Sequence, residues 1–69
     1  MLEKRSLSLS GHRTSVALEG EFWAALEALA HAEGESLAAL VTRLDAARDP
    51  ARKLASALRV YALLNHPFG

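Results

Sequence analysis

Hydrophobic and polar positions change their period near residue 20. From Leu7 to Leu18 apolar side chains recur at every second place, first at Leu7 and Leu9 and then at Val16 and Leu18. That alternation, with β-branched Thr14 and Val16, predicts a half-buried extended segment. Gly11 interrupts it. The segment therefore reads as one strand over about 12–18 behind a flexible arm, residues 1–11, or as two strands joined by a hairpin at Ser10–His12. Either form leaves edges of unpaired N–H and C=O groups that something must pair with.

From Gly20 the period is helical, with Phe22, Ala25, Leu26 and Leu29 on one stripe. Glu19 and Glu21 suit the positive end of a helix, and Gly34 is a natural stop. A first helix is predicted over about 20–33. Ser36 can cap a second over about 36–48, whose stripe is Leu37, Leu40, Val41 and Leu44. Asp49-Pro50 reads as the cap and first position of a third helix over about 50–65, with Leu54, Leu58 and Tyr61 on its stripe, ended by Asn65-His66-Pro67. The chain is mostly α with a short N-terminal β segment, and residues 1–69 are expected to form a single domain. Alanine crowds the first helix, which favours the helix but buries little area. A 69-residue chain with so few large apolar side chains is expected to complete its core with a partner subunit.

Composition narrows the chemistry. With no cysteine there is no disulfide framework, thiol nucleophile or cysteine-held metal. His12, His31 and His66 are too scattered for a metal-ligand spacing. Ser15 lies near His12, but no oxyanion loop or third group accompanies them. No metal, cofactor or catalytic role is expected. No apolar run approaches the ~20 residues that span a bilayer, and no secretory signal is read at the N-terminus. A cytoplasmic location is expected.

Eight Lys and Arg balance eight Asp and Glu, yet the charges are segregated. Residues 1–18 hold Lys4, Arg5 and Arg13 against Glu3. Residues 19–35 hold five glutamates and no Lys or Arg, and residues 36–69 hold five cations against Asp45 and Asp49. Basic flanks that converge could face a polyanion while the acidic middle points away; ordinary solvated surface is the plainer explanation.

The order of strand, helix, short turn and helix resembles the ribbon-helix-helix family of DNA-binding proteins. More closely, Gly11-His12-Arg13-Thr14-Ser15-Val16 followed by Leu18-Glu19-Gly20-Glu21-Phe22-Trp23-Ala24-Ala25-Leu26 resembles a bacterial subfamily with a third helix added. Ser56-Ala57-Leu58-Arg59-Val60-Tyr61 resembles that subfamily's C-terminal motif, and the likeness covers residues 4–66. It implies an intertwined homodimer in which two chains pair their strands into one two-stranded antiparallel ribbon that enters the major groove. The shared dimer core would then be Val16, Leu18, Phe22, Leu26, Leu29, Leu37, Leu40, Val41 and Leu44. Side chains alternate along a strand, so with Thr14, Val16 and Leu18 inward, Arg13, Ser15 and Ala17 face the bases. Arg13 can bond two acceptors of guanine, Ser15 discriminates little, and Ala17 offers a methyl contact where relatives often have a longer polar residue. Phosphates would be met by the free N–H groups near Ser36 and Leu37, with Lys4, Arg5 and His12 adding charge. Glu35 opposes an anion there unless it points aside.

Two functions follow as expectations. One is a homodimeric, sequence-specific DNA-binding transcriptional regulator. The alternative is a dimerising protein-interaction module, or an antitoxin-like adaptor, that keeps the scaffold, binds DNA weakly or not at all, and docks another protein through the third helix. Zero net charge, Ala17 and Glu35 motivate it.

Overall fold

The computed structural model describes residues 1–65. Strand β1 (Leu2–Leu9) and strand β2 (His12–Glu19) form an antiparallel hairpin, followed by helices α1 (Gly20–Ala32), α2 (Leu37–Ala47) and α3 (Leu54–Asn65). The loop is only Ser10-Gly11, and both residues have positive φ, 48° and 87°. Two left-handed residues are what a type I′ turn demands, and its twist matches that of the flanking strands. Of the two sequence readings, the hairpin is the observed one, and residues 2–9 are an extra strand instead of an arm.

The register pairs Leu9 with His12, Leu7 with Thr14, Arg5 with Val16 and Glu3 with Leu18. Opposed residues share a face, and on this face Leu9, Val16 and Leu18 are buried. Ser8 with Arg13, Ser6 with Ser15 and Lys4 with Ala17 make the other face. The strand expected to pair with a second chain, β2, is thus paired on one edge with β1 of its own chain. The physical reason lies in Ser10-Gly11: a two-residue turn brings β1 back at almost no loop-closure cost.

The helices pack on the inner face. The α1 chain stops at Gly34, whose φ of 70° lets its N–H reach His31 O while Glu35 N–H reaches Ala30 O. These paired bonds are a Schellman stop. Ser36 then caps α2, its Oγ accepting from Ala39 N–H at 3.0 Å. The third helix begins later than expected. Asp49 does cap a turn, its Oδ1 accepting from Ala51 N–H and its carbonyl from Arg52 N–H, both at 2.9 Å. The Arg48 guanidinium donates to the Arg52 carbonyl at 2.6 Å in the connection, and α3 starts only at Leu54. The expected stop at Asn65-His66-Pro67 lies beyond Asn65, outside the described residues.

The core is also closed within one chain. Leu9, Leu18, Trp23, Leu26, Leu40, Val41 and Leu58 are all under 2% exposed, with Val16, Ala25, Ala30 and Ala62 beside them. Phe22, Leu29, Leu37 and Leu44 are partly buried against this cluster. Residues expected in the shared dimer core thus already pack together within one subunit. The surface they needed comes from Leu7 and Leu9 of β1 and from Leu58 and Ala62 of α3. Trp23 is the largest of them, and its indole Nε1–H donates to Glu3 O of β1 at 2.7 Å, which satisfies its polar atom.

Candidate nucleic-acid interface

The outward face of the hairpin gathers Lys4, Ser6 and Ser8 from β1 and Arg13, Ser15 and Ala17 from β2. Every one but Ala17 is exposed, and Ala17 is half-buried. Between Lys4 and Ala17 this face carries no carboxylate. The nearest in register is Glu19, and Arg59 of α3 engages it at 2.9 Å, holding its carboxyl below the ordinary carboxylate range. The Arg13 guanidinium lies across β1, donating to Ser6 Oγ at 3.2 Å and reaching Ser8 Oγ at 3.5 Å. Its two nitrogens are thus laid over the sheet by a strand that motif reasoning left aside. The signal was present in the sequence: with Leu7 and Leu9 inward, Ser6 and Ser8 must point outward together with Arg13.

The other sequence-selected residues are spread over the molecule. Arg5 lies on the helix side of the sheet, its guanidinium 4.9 Å from the Trp23 ring centroid and paired with Glu3 at 2.7 Å and Glu27 at 3.1 Å. The hydrogen bond to Glu3 is the foremost cause that raises its pKa. Arg5 therefore stands apart from Arg13 and Lys4, because strand alternation turns it inward. His12 is exposed at the hairpin tip. Ser36 and Leu37 sit at the α2 N-terminus, where the Ser36 Oγ accepts in the cap and keeps its O–H, and Leu37 packs its side chain on the core. Glu35 does point aside: Arg43 grips it at 2.7 Å and Glu33 at 2.6 Å, and the bond from Arg43 holds the Glu35 carboxyl below its usual range.

Both outer edges of the two-stranded sheet are open, and the β2 edge is the one beside Arg13 and Ser15. A two-residue loop makes Leu9 and His12 a hydrogen-bonded pair, so by alternation the backbone N–H and C=O of Arg13, Ser15 and Ala17 point away from β1. No strand among the described residues pairs with that edge. Such a row is a template for another strand.

A hairpin leading directly into two capped helices, with a polar cationic strand face and a vacant edge, defines the class. The family described as Ribbon-helix-helix domain matches residues 2–66, and the chain belongs to it. No curated protein and no solved structure matched the chain. Proteins of this family typically dimerise and regulate transcription by binding DNA, and they are generally not enzymes. No helix among the described residues is long and apolar enough to cross a membrane.

Proposed function

We propose that this chain is a homodimeric, sequence-specific DNA-binding protein of the cytoplasm that acts as a transcriptional regulator, with β2 of each subunit laid in the major groove. The observation that carries the reading is the β2 strand: its outward side chains are Arg13, Ser15 and Ala17, and its backbone edge is unpaired. Two copies of β2 running antiparallel would satisfy both edges. Arg13 then supplies the base reading, as a planar fork suited to guanine N7 and O6. Lys4 shares the same face and supplies phosphate charge. Arg5 is assigned instead to clamping Trp23, while Ser36 and Leu37 offer backbone N–H groups at the α2 N-terminus, with the Ser36 O–H beside them.

The test is selection of bound duplexes from a random pool at two salt concentrations, which separates a specific regulator from a nonspecific binder. A recovered consensus supports the reading. Absence of any duplex binding at low salt refutes it.

A second reading has one observation in its favour. Val60, Leu63 and Leu64 are exposed on α3, and Val60, Tyr61 and Leu64 line an open groove with Leu44, Ala47 and Ala57. In that reading the third helix docks a protein and Arg13 is dispensable. Leu58 cannot probe it, being fully buried. Leu64→Ala can, since it should abolish capture of the partner and leave DNA binding intact.

A further inference from the structure

We infer that β1 is itself a nucleic-acid-contacting strand: in the dimer its outward Lys4, Ser6 and Ser8 ride over the walls of the groove and take the phosphates. The inference rests on the proposed DNA-binding reading and adds to it.

Three observations carry it. First, β1 is built in. It pairs with β2 along all of its residues from Leu2 to Leu9. Leu9 is 1% exposed, Trp23 donates to Glu3 O at 2.7 Å, and Arg5 is held over Trp23 by Glu3 and Glu27. Peeling β1 away to leave a bare β2 would undo all of these contacts, so pairing of two β2 edges yields a four-stranded sheet with β1 on each flank.

Second, that sheet is wider than the groove. Strands about 4.8 Å apart place the two outer strand axes about 14 Å from one another. The major groove is only about 12 Å wide and admits a two-stranded ribbon. The central β2 pair fits, and the two β1 strands come to lie over the rims, where the phosphates are.

Third, β1 is equipped for anions. Its outward residues Lys4, Ser6 and Ser8 are all exposed and none is acidic. Its acid, Glu3, is turned to the opposite face with Arg5. Ser6 and Ser8 accept from Arg13. A hydroxyl that accepts still has its own O–H to donate, so each can bond a phosphate oxygen while steadying Arg13. The charge on this flank is complementary to a duplex backbone and to nothing apolar.

The experiment measures affinity of the full chain for a selected duplex against salt concentration, for the wild type, Lys4→Ala, Ser6→Ala with Ser8→Ala, Arg13→Ala and Lys53→Ala, with circular dichroism to confirm that each is folded. Two Lys4 per dimer should make the salt slope shallower by about 2 and weaken binding on the order of 10–100-fold at 0.1 M salt, uniformly across sequences. The double serine variant should weaken binding severalfold and also blunt guanine preference. Lys53→Ala, which makes the same change in net charge in the α2–α3 connection, should leave the slope alone. Phosphate ethylation of the duplex should interfere on both groove rims with wild type, and Lys4→Ala should lose the outermost positions. If Arg13→Ala loses discrimination while the Lys4 and serine variants keep the wild-type slope, β1 is not at the DNA and the inference falls alone. A Lys53→Ala effect equal to that of Lys4→Ala would reduce it to general charge and overturn it as well. If the wild type ignores duplex DNA, the underlying reading falls with it.

Discussion

At the residue scale, each side chain does what its neighbours on the same face allow. Arg5 and Arg13 are the same residue type on adjoining strands, yet Arg5 is consumed by Glu3, Glu27 and the Trp23 ring while Arg13 meets only serine hydroxyls. A guanidinium that gives up hydroxyl contacts for guanine loses little; one that gives up two carboxylates loses charge partners. Arg13→Ala is therefore expected to remove about 1–3 kcal/mol of discrimination with the fold intact, measured by competition between matched and mismatched duplexes. Arg5→Ala should instead lower stability and leave sequence preference unchanged. In the core, Leu58→Ala opens a cavity beside a fully buried position and should cost about 2–5 kcal/mol in urea unfolding. Trp23→Phe keeps most of the apolar bulk but removes the indole donor from Glu3 O, a loss of about 0.5–1.5 kcal/mol by the same measurement.

Between elements, caps and ion pairs at the helix ends fix how the helices lie on the hairpin. Gly34 holds φ at 70°, a conformation costly for a side chain bearing Cβ, so Gly34→Ala should destabilise by about 1 kcal/mol although nothing stands in the space the methyl would occupy. Arg59 joins α3 to Glu19, where β2 becomes α1. Arg43 joins α2 to Glu33 and Glu35, where α1 ends, and Glu33 also accepts from the Tyr61 hydroxyl at 2.9 Å. Because Arg59 and Arg43 depress the Glu19 and Glu35 carboxyls when folded, the stabilisation is present above their ordinary value of 4.5 and is lost as pH falls through the lower folded values. Thermal unfolding should accordingly drop in temperature between about pH 5 and pH 3. A double variant, Arg43→Ala with Arg59→Ala, should show a flatter dependence over the same interval.

For the whole molecule, the question is what a second copy adds when one chain already buries its core. The dimer expected from the sequence was one in which neither subunit could fold alone. The hairpin and the core buried within one chain describe a subunit whose β2 edge is unpaired, and in the proposed dimer that edge pairs with its copy. Ser15→Pro separates the two arrangements. The Ser15 N–H points to the open edge, so proline there spares the intrachain ladder and blocks strand addition. The variant is expected to stay folded by circular dichroism but to sediment as a monomer at concentrations where the wild type is a dimer. Unfolding of the variant would show that the subunit depends on its partner.

The helices, their stops at Gly34 and their cap at Ser36 were legible in the chain because they rest on local signals: a 3.6-residue period, a residue free to take positive φ, and a hydroxyl one position before an apolar stripe. The outward set Arg13, Ser15 and Ala17 was legible for a similar reason, since alternation along a strand needs no tertiary information. What tertiary structure alone decided were the partners. Whether β1 folds back on β2, which carboxylates and which ring Arg5 meets on the inner face, and where α3 begins all turn on contacts between segments. Period and propensity describe one segment at a time, and the free energy of such contacts depends on which two surfaces the fold brings together.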